Sequence, residues 1–146
     1  MKLAAGVTRA SDGLEGVVWN VVGHTYTPKL LSDNAFLWHA VIPVDTFVPP
    51  HIHTTQDEWI YVLEGELEIE FGADKHVAGP GDTIRMPMGE PHGIFNRSGA
   101  TATCTFGVAP CGKLFDLFHA LHNVTDPAEL VRLSALHDVE FLPPPG

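Results

Sequence analysis

Apolar and polar residues alternate with a period of two along much of the first 110 residues, the pattern of strands that turn one face to a core. Residues 1–16 carry little pattern and are expected to form a loose arm or an edge strand. Gly16 to Val22 (GVVWNVV) reads as the first strand, and His24 to Leu31 as a connection or a short strand broken by Pro28. Phe36 to Val44 sets Phe36, Trp38, Ala40 and Ile42 on one face against Leu37, His39 and Val41, so cover on both sides is expected. A turn at Pro43–Thr46 leads into a strand from Phe47 to His53. Glu58, Ile60 and Val62 then alternate with Trp59, Tyr61 and Leu63, and Glu64-Gly65 is expected to close a hairpin. Glu66, Glu68 and Glu70 alternate with Leu67, Ile69 and Phe71, a half-buried strand with a solvated acidic face. Short strands follow at 75–78 and 83–86. Pro87, Gly89 and Pro91 force an irregular turn before the last strands, Gly93 to Asn96 and Ala100 to Ala109.

The period changes after Pro110. Leu114, Phe115, Leu117, Phe118 and Leu121 form a broad apolar stripe on a helix. Asp126-Pro127-Ala128-Glu129 has the chemistry of a helix start, so a second helix is expected to about Leu136. The tail, FLPPPG, is expected to carry no regular element. One domain over 1–146 is expected, with a barrel at about 17–110 and a helical extension at about 113–137.

Composition narrows the classes of function. The net charge is −10 with eight Lys and Arg, which argues against nucleic acid or an anionic membrane as partner. No apolar run approaches membrane-spanning length and the first residues lack a signal-peptide pattern, so a cytoplasmic protein is expected. Two cysteines, Cys104 and Cys111, are too few for a disulfide scaffold.

The candidate chemistry lies in HIHTTQDEWIYVLEG, residues 51–65. His51 and His53, two apart on a strand, leave the same face, and Glu58 opens the next strand. With His92 downstream they make a set of three imidazoles and one carboxylate, donors suited to one divalent transition metal per chain: Fe, Mn, Ni, Co or Zn. Of the other histidines, His39 is the one whose strand is expected to run beside the site. Gln56, Met86 and Phe95 are candidates for the cavity wall. If Glu58 points inward, Trp59, Tyr61 and Leu63 point outward, and a homodimer covering that face is expected.

His51, His53, Glu58 and Gly65 fit H-x-H-x4-E-x6-G, and Gly81, Pro87, Gly89, His92 and Asn96 fit G-x5-P-x-G-x2-H-x3-N. Together these resemble the two signature motifs of the cupin superfamily, over residues 45–96. One departure stands at Asp45, where the family's first motif usually opens with Gly. The resemblance implies an all-β double-stranded β-helix, a jelly-roll barrel, here followed by one or two short C-terminal helices. It also implies His51, His53, Glu58 and His92 as metal ligands. The single-domain layout resembles small bacterial proteins similar to quercetin 2,3-dioxygenase, which implies a pocket lined by Phe, Trp and Met and partly closed by the Leu114–Leu121 helix.

A metal-dependent dioxygenase acting on an apolar or aromatic enolic or phenolic small molecule is the expected function, with Glu58 as ligand or as catalytic base. An oxygen-independent isomerase, cyclase or lyase using the same site, and a non-catalytic small-molecule binder, are the alternatives.

Overall fold

The structure is a computed structural model and describes residues 1–143. Two antiparallel sheets face each other. The six-stranded sheet has the order β1-β2-β3-β10-β5-β8, and the five-stranded sheet the order β11-β4-β9-β6-β7. In chain order the strands are β1 Trp19–Val21, β2 His24–Ser32, β3 Ala35–Ile42, β4 Phe47–His53, β5 Asp57–Glu64, β6 Leu67–Phe71, β7 Asp74–Ala78, β8 Thr83–Met86, β9 His92–Phe95 and β10 Ala102–Ala109. Helices α1 (Leu114–Leu121) and α2 (Pro127–Ala135) follow, and β11 (Val139–Phe141) returns to the second sheet. This is the expected double-stranded β-helix with two short helices after it. No helix among the described residues is long and apolar enough to cross a membrane.

The core follows from the alternation. Phe36, Trp38, Ala40 and Ile42 of β3 are fully buried, as are Ile60 and Val62 of β5, while Leu37, His39 and Val41 lie half-buried on the outer face. Aromatic rings fill the barrel: Trp38 stacks on Phe106 at 5.1 Å with 10° between planes, and on Phe36 at 4.7 Å. Phe118 of α1 meets Trp38 edge-on at 5.0 Å, which seats the helix on one end of the barrel.

Several expectations need correction. His24 to Leu31 is not a broken connection but part of a nine-residue strand, because a register shift between Pro28 and Leu30 absorbs the proline that cannot donate to β3. Glu64-Gly65 closes no hairpin: β5 pairs with β10 and β8, β6 with β7 and β9, so the turn carries the chain from one sheet to the other. Gly65 is required there, since at φ 76° an added Cβ would lie 2.8 Å from the Thr101 carbonyl. Residues 1–13 form no strand, but the arm is tied down: Met1 pairs with Asp33, and Thr8 donates to the Lys29 carbonyl at 2.9 Å. A short strand, β11, ends at Phe141, the first residue of the tail; residues 144–146 lie outside the described ones. The acidic row of β6 is also not merely solvated, because Arg97 pairs with Glu68 at 3.0 Å and with Glu70 at 3.1 Å. Asp45, at the departure from the motif, adopts φ 63°, so the left-handed turn that glycine would make is kept by an aspartate.

His24 is buried, with its Nδ1 3.0 Å from the Tyr26 hydroxyl, and burial lowers its pKa from 6.5 to about 4. The fold therefore favours the neutral ring. Its contribution to stability is complete above pH 6.5 and is lost as pH falls towards 4, amounting to about 3 kcal/mol. Denaturant titration at pH 7 and pH 4 should show that wild type loses about 3 kcal/mol more than His24→Gln on acidification. Equal losses would contradict this account.

Candidate metal centre

Three strands in two sheets build the site. β4 supplies His51 and His53, β9 supplies His92 opposite His51, and β5 brings Glu58 across from the facing sheet. The alternation that buries Ile60 and Val62 also turns Glu58 inward. The loop before His92 is held from both sides: Met88 N–H donates to Asp57 at 2.9 Å, and Gly89 N–H to the His53 carbonyl at 3.0 Å. All four side chains are buried, and one potential ligand atom from each lies within 4.8 Å of the others. The four residues singled out in the sequence thus converge between the sheets, in an arrangement that could hold one metal ion.

The hydrogen bonds decide which ring nitrogens face inward. His51 Nδ1–H donates to the Pro49 carbonyl at 2.8 Å and His92 Nδ1–H to the Glu90 carbonyl at 3.1 Å, since a carbonyl can only accept. His53 Nδ1–H donates to Gln56 Oε1 at 3.0 Å. The orientation of that amide is fixed because its Nε2 donates to the carbonyls of Pro110 (3.1 Å) and Cys111 (2.6 Å). Each ring therefore keeps its proton on the outer nitrogen and presents the Nε2 lone pair to the cluster, the arrangement metal-binding histidines need.

Electrostatics support the same reading. Burial pushes the Glu58 pKa up, but the His53, His92 and His51 rings outweigh it and hold the carboxyl at about 2. Burial, then the neighbouring His92 and His53, lower His51 to about 3. Glu58 is thus a carboxylate, and His51 a neutral ring, at neutral pH. Glu58 Oε1 lies 3.0 Å from His92 Nε2 and 3.5 Å from His53 Nε2. A carboxylate oxygen held this close to two imidazole nitrogens needs a proton or a metal cation between them. The donor set fits a divalent metal.

A narrow cavity opens beside the cluster. His51, His53 and Glu58 form its polar end; Tyr26, Trp38, Phe106 and Ile94 form barrel walls; α1 contributes Leu114, Leu117, Phe118 and Leu121. The closure by this helix that the resemblance implied is present. Val139 and Phe141 of β11 add a further wall: they pair with His53 and His51, and the Phe141 ring lies 5.4 Å from His51.

The remaining site expectations fared unevenly. His39 points away from the site on the outer face of β3, beside Lys29, and burial together with that charge lowers its pKa. Met86 is buried but does not line the cavity, and Phe95 stacks on Phe47 at 5.8 Å on the far side of the sheet. Gln56 holds a ligand in place instead of lining the wall. Tyr26 also lines the cavity, and the sequence pattern does not reveal it because Pro28 disguises the continuity of β2. Trp59 is not offered outward like Tyr61 and Leu63; its indole lies across Gly107, where an added Cβ would come within 2.3 Å.

Comparison with known proteins agrees with this geometry. The cupin domain family model matches residues 38–107. The quercetin 2,3-dioxygenase of Bacillus subtilis is 30% identical over 81 residues, 56% of this chain and 23% of that protein. The tetracenomycin polyketide synthase protein TcmJ of Streptomyces glaucescens is 24% identical over 98 residues, 66% of each chain. The chain thus spans about a quarter of the first relative's length and two thirds of the second's. In fold, an RmlC-like cupin from Shewanella frigidimarina superposes with a TM-score of 0.68 at 15% identity, over 79% of this chain and 99% of that one. With its facing sheets, its histidine pair on β4 and the third histidine on β9, the chain carries a cupin domain over residues 38–107.

Proposed function

We propose that this chain is a metal-dependent dioxygenase that acts on an apolar or aromatic molecule carrying an enol or phenol. The carrying observation is the site itself: three imidazoles with Nε2 turned inward and one ionised carboxylate at the polar end of an otherwise apolar cavity. A divalent metal held by His51, His53, Glu58 and His92 would supply Lewis acidity and, if redox-active, a partner for dioxygen. The chain's residues do the rest. The aromatic walls take up an apolar ring system and exclude water, while α1 and β11 cover it. Glu58, held ionised, serves as ligand and, when displaced from the cluster, can accept the proton of an enol or phenol. Similarity to a quercetin 2,3-dioxygenase supports this choice of substrate class. The exposed Tyr61 and Leu63 on the outer face of β5 support a homodimer as part of the same reading.

Consumption of quercetin by Fe-, Mn-, Ni- or Co-loaded protein should require dioxygen. An unchanged rate under argon, or full activity with redox-inert Zn(II), would overturn the oxygenase reading in favour of a lyase or isomerase.

A further inference from the structure

Gln56 is 3% exposed and bonds to two distant segments of the chain at once. Its Oε1 accepts from His53 Nδ1–H at 3.0 Å, and its Nε2 donates to the main-chain carbonyls of Pro110 at 3.1 Å and Cys111 at 2.6 Å. Pro110 and Cys111 belong to the connection that leads from β10 into α1. That connection has little slack. Cys111 N–H donates to the Asp33 carbonyl at 3.1 Å, and at Gly112, with φ 55°, an added Cβ would lie 3.0 Å from Gln56 Nε2. Helix α1 begins two residues later, and its Leu114, Leu117, Phe118 and Leu121 wall the cavity. One buried amide thus stands between a ring of the metal cluster and the tether of the helix that covers it.

We propose that Gln56 couples occupancy of the metal centre to the seating of α1, so that this wall of the cavity sets firmly only around a loaded site. A cation on His53 Nε2 draws electron density from the ring and makes Nδ1–H a stronger donor to Gln56 Oε1. The polarised amide then donates more strongly to the Pro110 and Cys111 carbonyls, because hydrogen bonds in a chain reinforce one another. The coupling is reciprocal: unseating α1 loosens the amide, leaves His53 less well oriented and lowers metal affinity by the same factor. An apolar ligand meets its complete site only after the metal has bound. The inference rests on His53 as a metal ligand and is independent of the substrate.

Hydrogen exchange with and without Zn(II) reads the coupling. At saturating zinc the α1 amides of the wild type should slow by about 5–150-fold more than those of α2, which Gln56 does not tether. In Gln56→Leu, with zinc raised until equilibrium dialysis shows full occupancy, that surplus should vanish while β4 and β9 keep their zinc-dependent protection. A second measurement needs no substitution: in 15N-labelled wild type the side-chain amide protons of Gln56 should move downfield when zinc binds. Equal slowing of α1 and α2 in the wild type, a surplus that survives Gln56→Leu, or an unmoved Gln56 amide overturns the coupling and leaves the metal centre standing. A wild type that binds no zinc overturns the metal centre and the coupling with it.

Discussion

His53→Ala is expected to leave the protein nearly free of metal. His53 contributes one of the inward-facing donors and lies 3.5 Å from the Glu58 carboxylate, so its loss removes a ligand and opens the cluster. Gln56→Leu supplies the graded comparison. It keeps all four ligands but frees His53 Nδ1, and loss of such an outer hydrogen bond weakens metal affinity by about 10–100-fold. Affinity should therefore fall in the order wild type, Gln56→Leu, His53→Ala, with His53→Ala below the 10–100-fold range. Elemental analysis and chelator competition read both quantities, and circular dichroism confirms that the sheets persist. Stoichiometric, tightly held metal in His53→Ala would remove His53 from the ligand set.

The second large effect falls on stability. Phe106 is 2% exposed and stacks on Trp38 between the sheets, with Tyr26 6.0 Å away. Phe106→Ala should cost about 3–5 kcal/mol, because neighbours fixed on paired strands cannot collapse into the space. Against a total stability of about 5–15 kcal/mol, that is a large share. Urea unfolding measures it; a loss below about 1 kcal/mol would mean the stack is not part of the load-carrying core.

The parts of the fold that could be read from the sequence are those where local pattern and tertiary role agree. Glu58 through Leu63 alternates cleanly because one face of β5 is core, and the same phase predicts where Glu58 points. His51 and His53 share a face by simple strand geometry. The failures arise where the deciding fact is far away in the chain. Pro28 signals a break, yet its register shift with β3 lets β2 continue. Glu64-Gly65 has turn chemistry, but nothing local says whether the flanking strands pair or part; the close approach of Thr101 settles it. Gln56 is a lone polar loop residue in the sequence, and its role appears only once the carbonyls of Pro110 and Cys111 are brought beside it.

The short strand β11 has a consequence for how the protein is made. Val139, Glu140 and Phe141 close the open edge of β4 beside His53, Ile52 and His51, and are synthesised long after those residues. Until they dock, the histidine strand presents unpaired backbone groups that another chain could use as a template. Such distant pairings are also slow to form, because a long loop must close first. The nascent chain thus depends on that last strand to protect the β4 edge from its neighbours on a polysome.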